Sequence, residues 1–179
     1  MQLEVLNNEI ISCFDEFIKE KIYYEKIDST QLECWRLAND GKIQSGTMII
    51  ADIQTAGIGT HGRVWHTSEK GNIALSMYFK TNNLKISAIK DLPVKIAYFI
   101  AEKISLIYKV NLDIKYPNDL MWYDKKVGGI LVETKIQAEK VKEIVIGIGI
   151  NVTQEVFPIE ISKLATSINN ILIEDGGDK

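Results

Sequence analysis

Apolar residues recur at mixed three- and four-residue spacing over residues 3–19, at Leu3, Leu6, Ile10, Phe14, Phe17 and Ile18. That spacing predicts an amphipathic helix at the start of the chain. Residues 22–27, with Ile22, Tyr23, Tyr24 and Ile27, are aromatic and β-branched and predict a strand. Asp28-Ser29-Thr30 offers caps for a helix over 31–39, which Asn39-Asp40-Gly41 then stops. Residues 47–53 are almost continuously apolar, as in a strand covered on both faces. Alternation around Ile73, Leu75, Met77 and Phe79 predicts a half-buried strand over 72–80. Val94, Ala97, Ile100, Ala101, Ile104 and Ile107 give one apolar face to a helix over 92–108, with Pro93 in its first turn. Strands are expected at 112–116, 121–123, 127–134 and 141–151, and a short helix from Ala165 onward. Helices and strands do not alternate as βαβ units, so the pattern predicts an α+β fold with a mixed sheet.

The strand at 47–53 runs into Gln54-Thr55-Ala56-Gly57-Ile58-Gly59-Thr60-His61-Gly62-Arg63-Val64-Trp65. Glycines let the backbone approach a ligand closely, so that several N–H groups can converge on an anion. Gly57-x-Gly59-x-x-Gly62 has the letters of a dinucleotide fingerprint without its context, because residues 63–72 read as a polar loop and a strand follows. A Gly-Lys-Ser/Thr sequence is also missing, which removes the Walker reading. The plain alternative is a glycine-rich hairpin.

Two later segments look built to face this stretch. Lys115-Tyr116-Pro117-Asn118-Asp119 ends a short strand, and Lys126 precedes Gly128-Gly129 after a turn containing Lys125. Lysines on solvated faces are common. Strand ends, however, are where ligand-binding groups concentrate. Two cations there could neutralise a carboxylate meeting a polyphosphate. Gly147 and Gly149 interrupt the last apolar strand, where side chains would obstruct something close by.

Composition narrows the field. A chain of 179 residues suits one domain, residues 1–179. The net charge of −3 argues against bulk nucleic-acid binding. Cys13 and Cys34 are too few for a disulfide framework, which makes a reducing cytoplasm the expected setting. The N-terminus carries Glu4 where a secretory leader would be basic, and no apolar run approaches the roughly 18 residues of a membrane span. His61 and His66 are the only histidines and stand in no zinc-ligand spacing, so no metal held by protein alone is expected.

Four segments, taken in order, resemble the biotin protein ligases, also called biotin–[acetyl-CoA-carboxylase] ligases. They are Asp28-Ser29-Thr30; the glycine stretch through Arg63-Val64-Trp65; Lys115-Tyr116-Pro117-Asn118-Asp119-Leu120 with residues 126–133; and residues 147–152 with Ala165-Thr166-Ser167. The resemblance covers roughly residues 25–170. It implies a biotin/lipoate ligase catalytic-domain fold, with a mixed sheet and helices mainly on one face. It implies synthesis of biotinyl-5′-AMP from biotin and ATP with Mg2+, then transfer of biotin to a lysine of a biotin carrier protein. By position, Ser29, Thr30, Gln54, Gly57, Lys126 and Gly129 would bind biotin. Gly59, Thr60, His61, Arg63, Trp65, Asn118 and Asn151 would serve the nucleotide, with Lys126, Lys115 and Arg63 catalytic. The partner would be acetyl-CoA carboxylase or a similar biotin-dependent enzyme, with neither DNA nor membrane, and a homodimer would be compatible. A lipoate or other acyl ligase of the same fold, and a catalytically weak biotin binder, are the alternatives.

The chain departs from the family's pattern in four places. Ile58 and Thr60 stand where basic residues are usual, and Gln31 stands where Asn is usual. The sequence stops soon after Ser167, where the family continues into an SH3-like domain, so that domain is expected to be absent. An N-terminal DNA-binding domain is likewise not expected.

Overall fold

The computed structural model describes residues 2–67 and 70–176, with side chains for 7–67 and 70–175. Leu3 and Leu6, expected on the apolar face of the first helix, lie outside the described side chains. The first helix, α1, is Gln2–Ser12, and a single 3-10 turn follows at Asp15–Phe17. The expected helix over 3–19 is thus cut short. Ile10 and Phe14 enter the core, while Phe17 stays exposed and Lys19 already donates to Gly46 O at 2.8 Å as the chain turns into the sheet.

One mixed sheet of eight strands carries the molecule. Strand β1 (Glu20–Ile27) pairs in parallel with β2 (Thr47–Ile58), and α2 (Thr30–Asn39) connects them. The first half of β2 pairs with β4 (Ile73–Lys85), and its second half pairs with β3 (Val64–Thr67). Beyond β4 the order runs β8 (Lys140–Ile150), β7 (Lys125–Gln137), β6 (Asp119–Trp122) and β5 (Asp113–Lys115), all antiparallel. Helix α3 (Leu92–Tyr108) joins β4 to β5, and α4 (Ile168–Gly176) ends the described chain.

Side-chain alternation splits the core between the two faces of the sheet. Met48, Leu75, Met77, Ile146 and Ile148 face one way and pack with α1 and α3 residues such as Ile10, Ile100 and Ile104; Ile168 and Ile171 of α4 join the same cluster. Ile49, Tyr78 and Val145 face the other way, covered by Cys34 and the partly buried Trp35 of α2. Three helices therefore contribute to one face and α2 alone covers part of the other, as an α+β layer arrangement requires.

Two expected boundaries move, and both matter for the site. The glycine stretch is strand through Ile58, and residues 64–67, expected in a loop, form β3; only Gly59 to Arg63 make the tip of the hairpin. Lys125 and Lys126 lie in β7 rather than in a turn. The reversal falls at Tyr123-Asp124, where Tyr123 has φ 50°. Lys126 is held from two sides: it pairs with Met121, its N–H donates to Leu164 O at 2.7 Å, and its C=O accepts from Thr166 N at 3.0 Å.

Candidate active site

Parallel pairing of β1 and β2 brings the end of β1 level with Gln54, since Ile27 pairs with Gln54. The chain leaves β1 at Asp28, and Ser29 caps α2 by accepting from Leu32 N. Asp28 fixes this corner. Its Oδ1 accepts from Ser29 N, and both carboxylate oxygens accept from Arg36 at 2.6 Å. The Arg36 guanidinium holds the Asp28 carboxyl down to about 2. Thr30, in the first turn, donates its N–H to Gln54 Oε1 at 2.8 Å.

These groups form the closed end of a pocket that opens to solvent and measures about 430 Å³ with its mouth included. Ser29, Thr30, Gln31, Gln54 and Ser76 supply its polar lining. Leu75, Ile130, Leu131, Ile148 and Ile58 supply apolar wall, and Gly129, Gly147 and Gly149 bring bare backbone to the surface. An apolar slot with a few converging polar groups is the usual form of a small-molecule site. Gly147 and Gly149 show what the absent side chains make room for. A β-carbon at 147 would come within 2.6 Å of Gln31 Oε1, and one at 149 within 2.5 Å of the Trp65 ring.

A second, wider cleft of about 1120 Å³ opens beside the first. Arg63, Lys115, Lys126, Asp119 and Asp124 give it charge, and Phe157, Ile161 and Leu164 give it an apolar side. Gly59, Thr60, Trp65 and Lys126 line both spaces and so form the boundary between them. Lys126 Nζ donates to Asp119 Oδ1 at 2.6 Å and lies 5.7 Å from the Trp65 ring centre. Arg63 hydrogen-bonds back to Thr60, to its O at 3.2 Å and its Oγ1 at 2.8 Å, and so braces the hairpin tip.

The structure distributes the expected residues unevenly. Ser29, Thr30, Gln54, Gly129 and Lys126 meet in the inner pocket. Gly59, Thr60, Arg63, Trp65, Lys115 and Asn151 meet in the outer cleft. Asn118 lines the inner pocket instead, buried, with its Nδ2 on Ile130 O at 3.0 Å. Asn151 is buried too, its Nδ2 donating to Thr166 O at 3.1 Å. Gly57 and His61 line neither space. A β-carbon at Gly57 would come within 2.5 Å of Trp65 O, so the glycine serves the close β2–β3 approach, and His61 is an exposed residue at φ 58°.

Ser76 and the apolar trio of the outer cleft escaped the sequence reading, which places Asp119 in a segment facing the site but gives it no role of its own. A lone serine between Leu75 and Met77 was the available signal for the first. Cys34 is no nucleophile: its Sγ donates to Ser76 O at 3.5 Å, and burial pushes the thiol up to about 12. Among the described residues, no three His, Cys, Asp or Glu side chains could together hold a metal ion, and no helix is long and apolar enough to cross a membrane.

A mixed sheet presenting a half-polar slot beside a cationic cleft defines a protein that can hold a small organic acid against a phosphorylated partner. Residues 23–151 match the model of the biotin/lipoate A/B protein ligase family, and the chain belongs to it. The bifunctional ligase/repressor BirA of Bacillus spizizenii is 37% identical over 150 residues, which are 83% of this chain and 46% of the relative. The biotin–[acetyl-CoA-carboxylase] ligase of Mycobacterium tuberculosis is 31% identical over 143 residues, 78% of this chain and 51% of its own. The biotin protein ligase from Aquifex aeolicus, solved in complex with biotin and ATP, superposes with a TM-score of 0.68 at 32% identity, over 86% of this chain and 61% of that one. The chain thus spans about half the length of these curated relatives.

Proposed function

We propose that this chain is a biotin protein ligase, with biotin in the inner pocket and ATP, accompanied by its Mg2+, in the outer cleft. The observation that carries the reading is the shared boundary. Lys126 lines both spaces, so one ammonium can face a carboxylate on one side and a phosphate on the other. Two anions must meet there, and a fixed cation lowers the cost of bringing them together.

In the first step a biotin carboxylate oxygen attacks the α-phosphorus of ATP. A bond from that oxygen to phosphorus forms, the α–β phosphoanhydride bond breaks, and pyrophosphate leaves. Lys126 stabilises the charge building on the phosphoryl oxygens, while Lys115 and Arg63 offer cations to the phosphates. In the second step the neutral ε-amine of a carrier lysine attacks the acyl carbon, and AMP departs as the amide forms. Gly59, Thr60 and Trp65, at the hairpin tip and the start of β3, lie over the junction, where they can shield the activated acid from water. The polar groups at the closed end favour a heteroatom-bearing ring over a purely apolar one. The reaction belongs in the cytoplasm, where ATP and an unmodified carrier domain of acetyl-CoA carboxylase or a similar enzyme are found together.

Biotin-dependent exchange of labelled pyrophosphate into ATP tests the first step, and the mass gain of a purified carrier domain tests the second. Exchange that proceeds equally without biotin, or with lipoate in its place, would overturn this reading.

A further inference from the structure

The apolar side of the outer cleft comes from residues 151–167, a segment between β8 and α4 with neither strand nor helix of its own. Its course therefore depends on a few ties. The exit is tied to β7, through Lys126 N to Leu164 O at 2.7 Å and Thr166 N to Lys126 O at 3.0 Å. The entry is tied by Asn72, in the bend that leads into β4. Asn72 Oδ1 accepts from Val152 N at 2.8 Å, Thr153 N at 3.2 Å and Gln154 N at 3.3 Å. Backbone N–H groups can only donate, so the amide oxygen must face them, and Nδ2 donates to Gln154 Oε1 at 3.1 Å. Gln154 Nε2 donates onward to Val156 O at 3.3 Å, next to Phe157 of the cleft.

The same knot roots the hairpin. Lys70 to Asn72 carry the chain from β3 toward β4, and the hairpin ahead of them supplies Arg63 and Trp65 to the cleft. Thr153 Oγ1 donates to Lys70 O at 2.8 Å. Gly71, at φ 90°, permits this approach, since a β-carbon there would come within 2.6 Å of Thr153 Oγ1. Its carbonyl is held from the other side by Asn7 Nδ2 of α1 at 2.5 Å, and Asn7 Oδ1 accepts from Tyr108 OH of α3 at 2.9 Å. Asn72 is 8% exposed and Gln154 fully buried, and neither lines the pocket or the cleft. Buried N–H groups that lose their acceptor are costly, so the tie is a firm one.

We infer that Asn72 is a positioning residue for the nucleotide: it locks the hairpin and the 151–167 segment together at their roots and so fixes the width of the outer cleft. The inference rests on the proposed function, which places ATP there. Groups from both stretches must reach one ligand together, and a small misplacement of either weakens the hold. The inner pocket is framed largely by the sheet and the start of α2, away from this tie.

The experiment is biotin-dependent pyrophosphate exchange on the full chain, with calorimetric titration of biotin and a thermal melt of each variant. Asn72→Ala removes the shared acceptor, and KM for ATP should rise about tenfold while Kd for biotin stays within about twofold. Asn72→Asp keeps an oxygen for the three N–H groups and should return KM for ATP to within about threefold of the parent. Main-chain bonds from Ile168 N to Asn151 O and from Asn169 N to Val152 O do not involve Asn72 and hold the root in each variant. Should Asn72→Ala nonetheless fail to fold, Thr153→Val removes a single bond of the knot and is expected to raise KM for ATP about threefold. A lowered melt with KM for ATP unchanged would make the knot merely structural and overturn the inference alone. So would a parallel rise in Kd for biotin, or an Asn72→Asp variant no better than Asn72→Ala. A parent chain without biotin-dependent exchange overturns the proposed function together with it.

Discussion

The inner pocket and the outer cleft are neighbours built by different means. The inner pocket is framed largely by the sheet and the start of α2, and its polar groups are already joined to one another before any ligand arrives. In the outer cleft, Lys115 and Arg63 are exposed, and among the described residues Arg63 hydrogen-bonds to its own hairpin tip. One region is preorganised for shape and hydrogen-bond sense. The other supplies charge on exposed side chains. Recognition of a small neutral ring tolerates little slack, since each hydrogen bond is worth only about 1 kcal/mol and is lost by a small displacement. Charge acts over longer distances, so the cationic side can be looser.

The division can be broken at its boundary first. Lys126→Ala should lower the exchange rate by roughly a hundredfold or more, because it removes the cation common to both spaces. Activity close to the parent would show that the two spaces do not meet through Lys126. The variant is expected to fold, since the strand pairing of this residue uses its backbone.

Gly57→Ala attacks the close β2–β3 approach by pressing a β-carbon against Trp65 O. A clash with backbone costs about 2 kcal/mol, so the melting temperature should fall by roughly 4–8 °C. An unchanged melt would show that the hairpin yields freely.

Lys115→Ala sharpens the contrast from the outer side. KM for ATP should rise about tenfold, with biotin affinity in calorimetry unchanged. A loss of biotin affinity would mean the regions are coupled.

The smallest effect concerns the inner corner. The Asp28 carboxyl is held at about 2 by Arg36, below its ordinary value near 4. Its folded value is lowered, so its contribution to stability is fully present above about pH 4 and is lost as pH falls toward 2. Asp28 is 38% exposed and Arg36 49%, so screening keeps that contribution under about 1 kcal/mol. Thermal melts of Arg36→Met against the parent should differ slightly at pH 5 and converge near pH 2. A constant difference across that range would exclude the ion pair as its cause.

Apolar periodicity made most of the elements legible. The helix over 92–108 matches α3 at both ends, and the strands expected at 47–53 and 141–151 form as β2 and β8, both with a neighbour on each side. Each carries many residues with the same preference, so local and tertiary forces agree. The failures have physical reasons. Phe17 and Ile18 continue a helical spacing, but the chain must leave α1 earlier to enter β1 as an edge strand. Val64 to Thr67 alternate too briefly to signal a strand, and become one only because the second half of β2 lacks β4 as a partner and takes β3 instead.

The sequence by itself determined that this is an α+β chain with a glycine-bearing segment, two lysines at strand ends and two obstructive glycine positions, because each depends on residues near one another along the chain. Only the tertiary structure decided which of those residues share a space. Gln31 meets Glu133 across 102 residues and Ser76 across 45, and Lys126 reaches Trp65 from the far side of the sheet order. Hydrogen-bond sense is set by the partner on the other end of the bond, and sheet pairing alone brings those partners together.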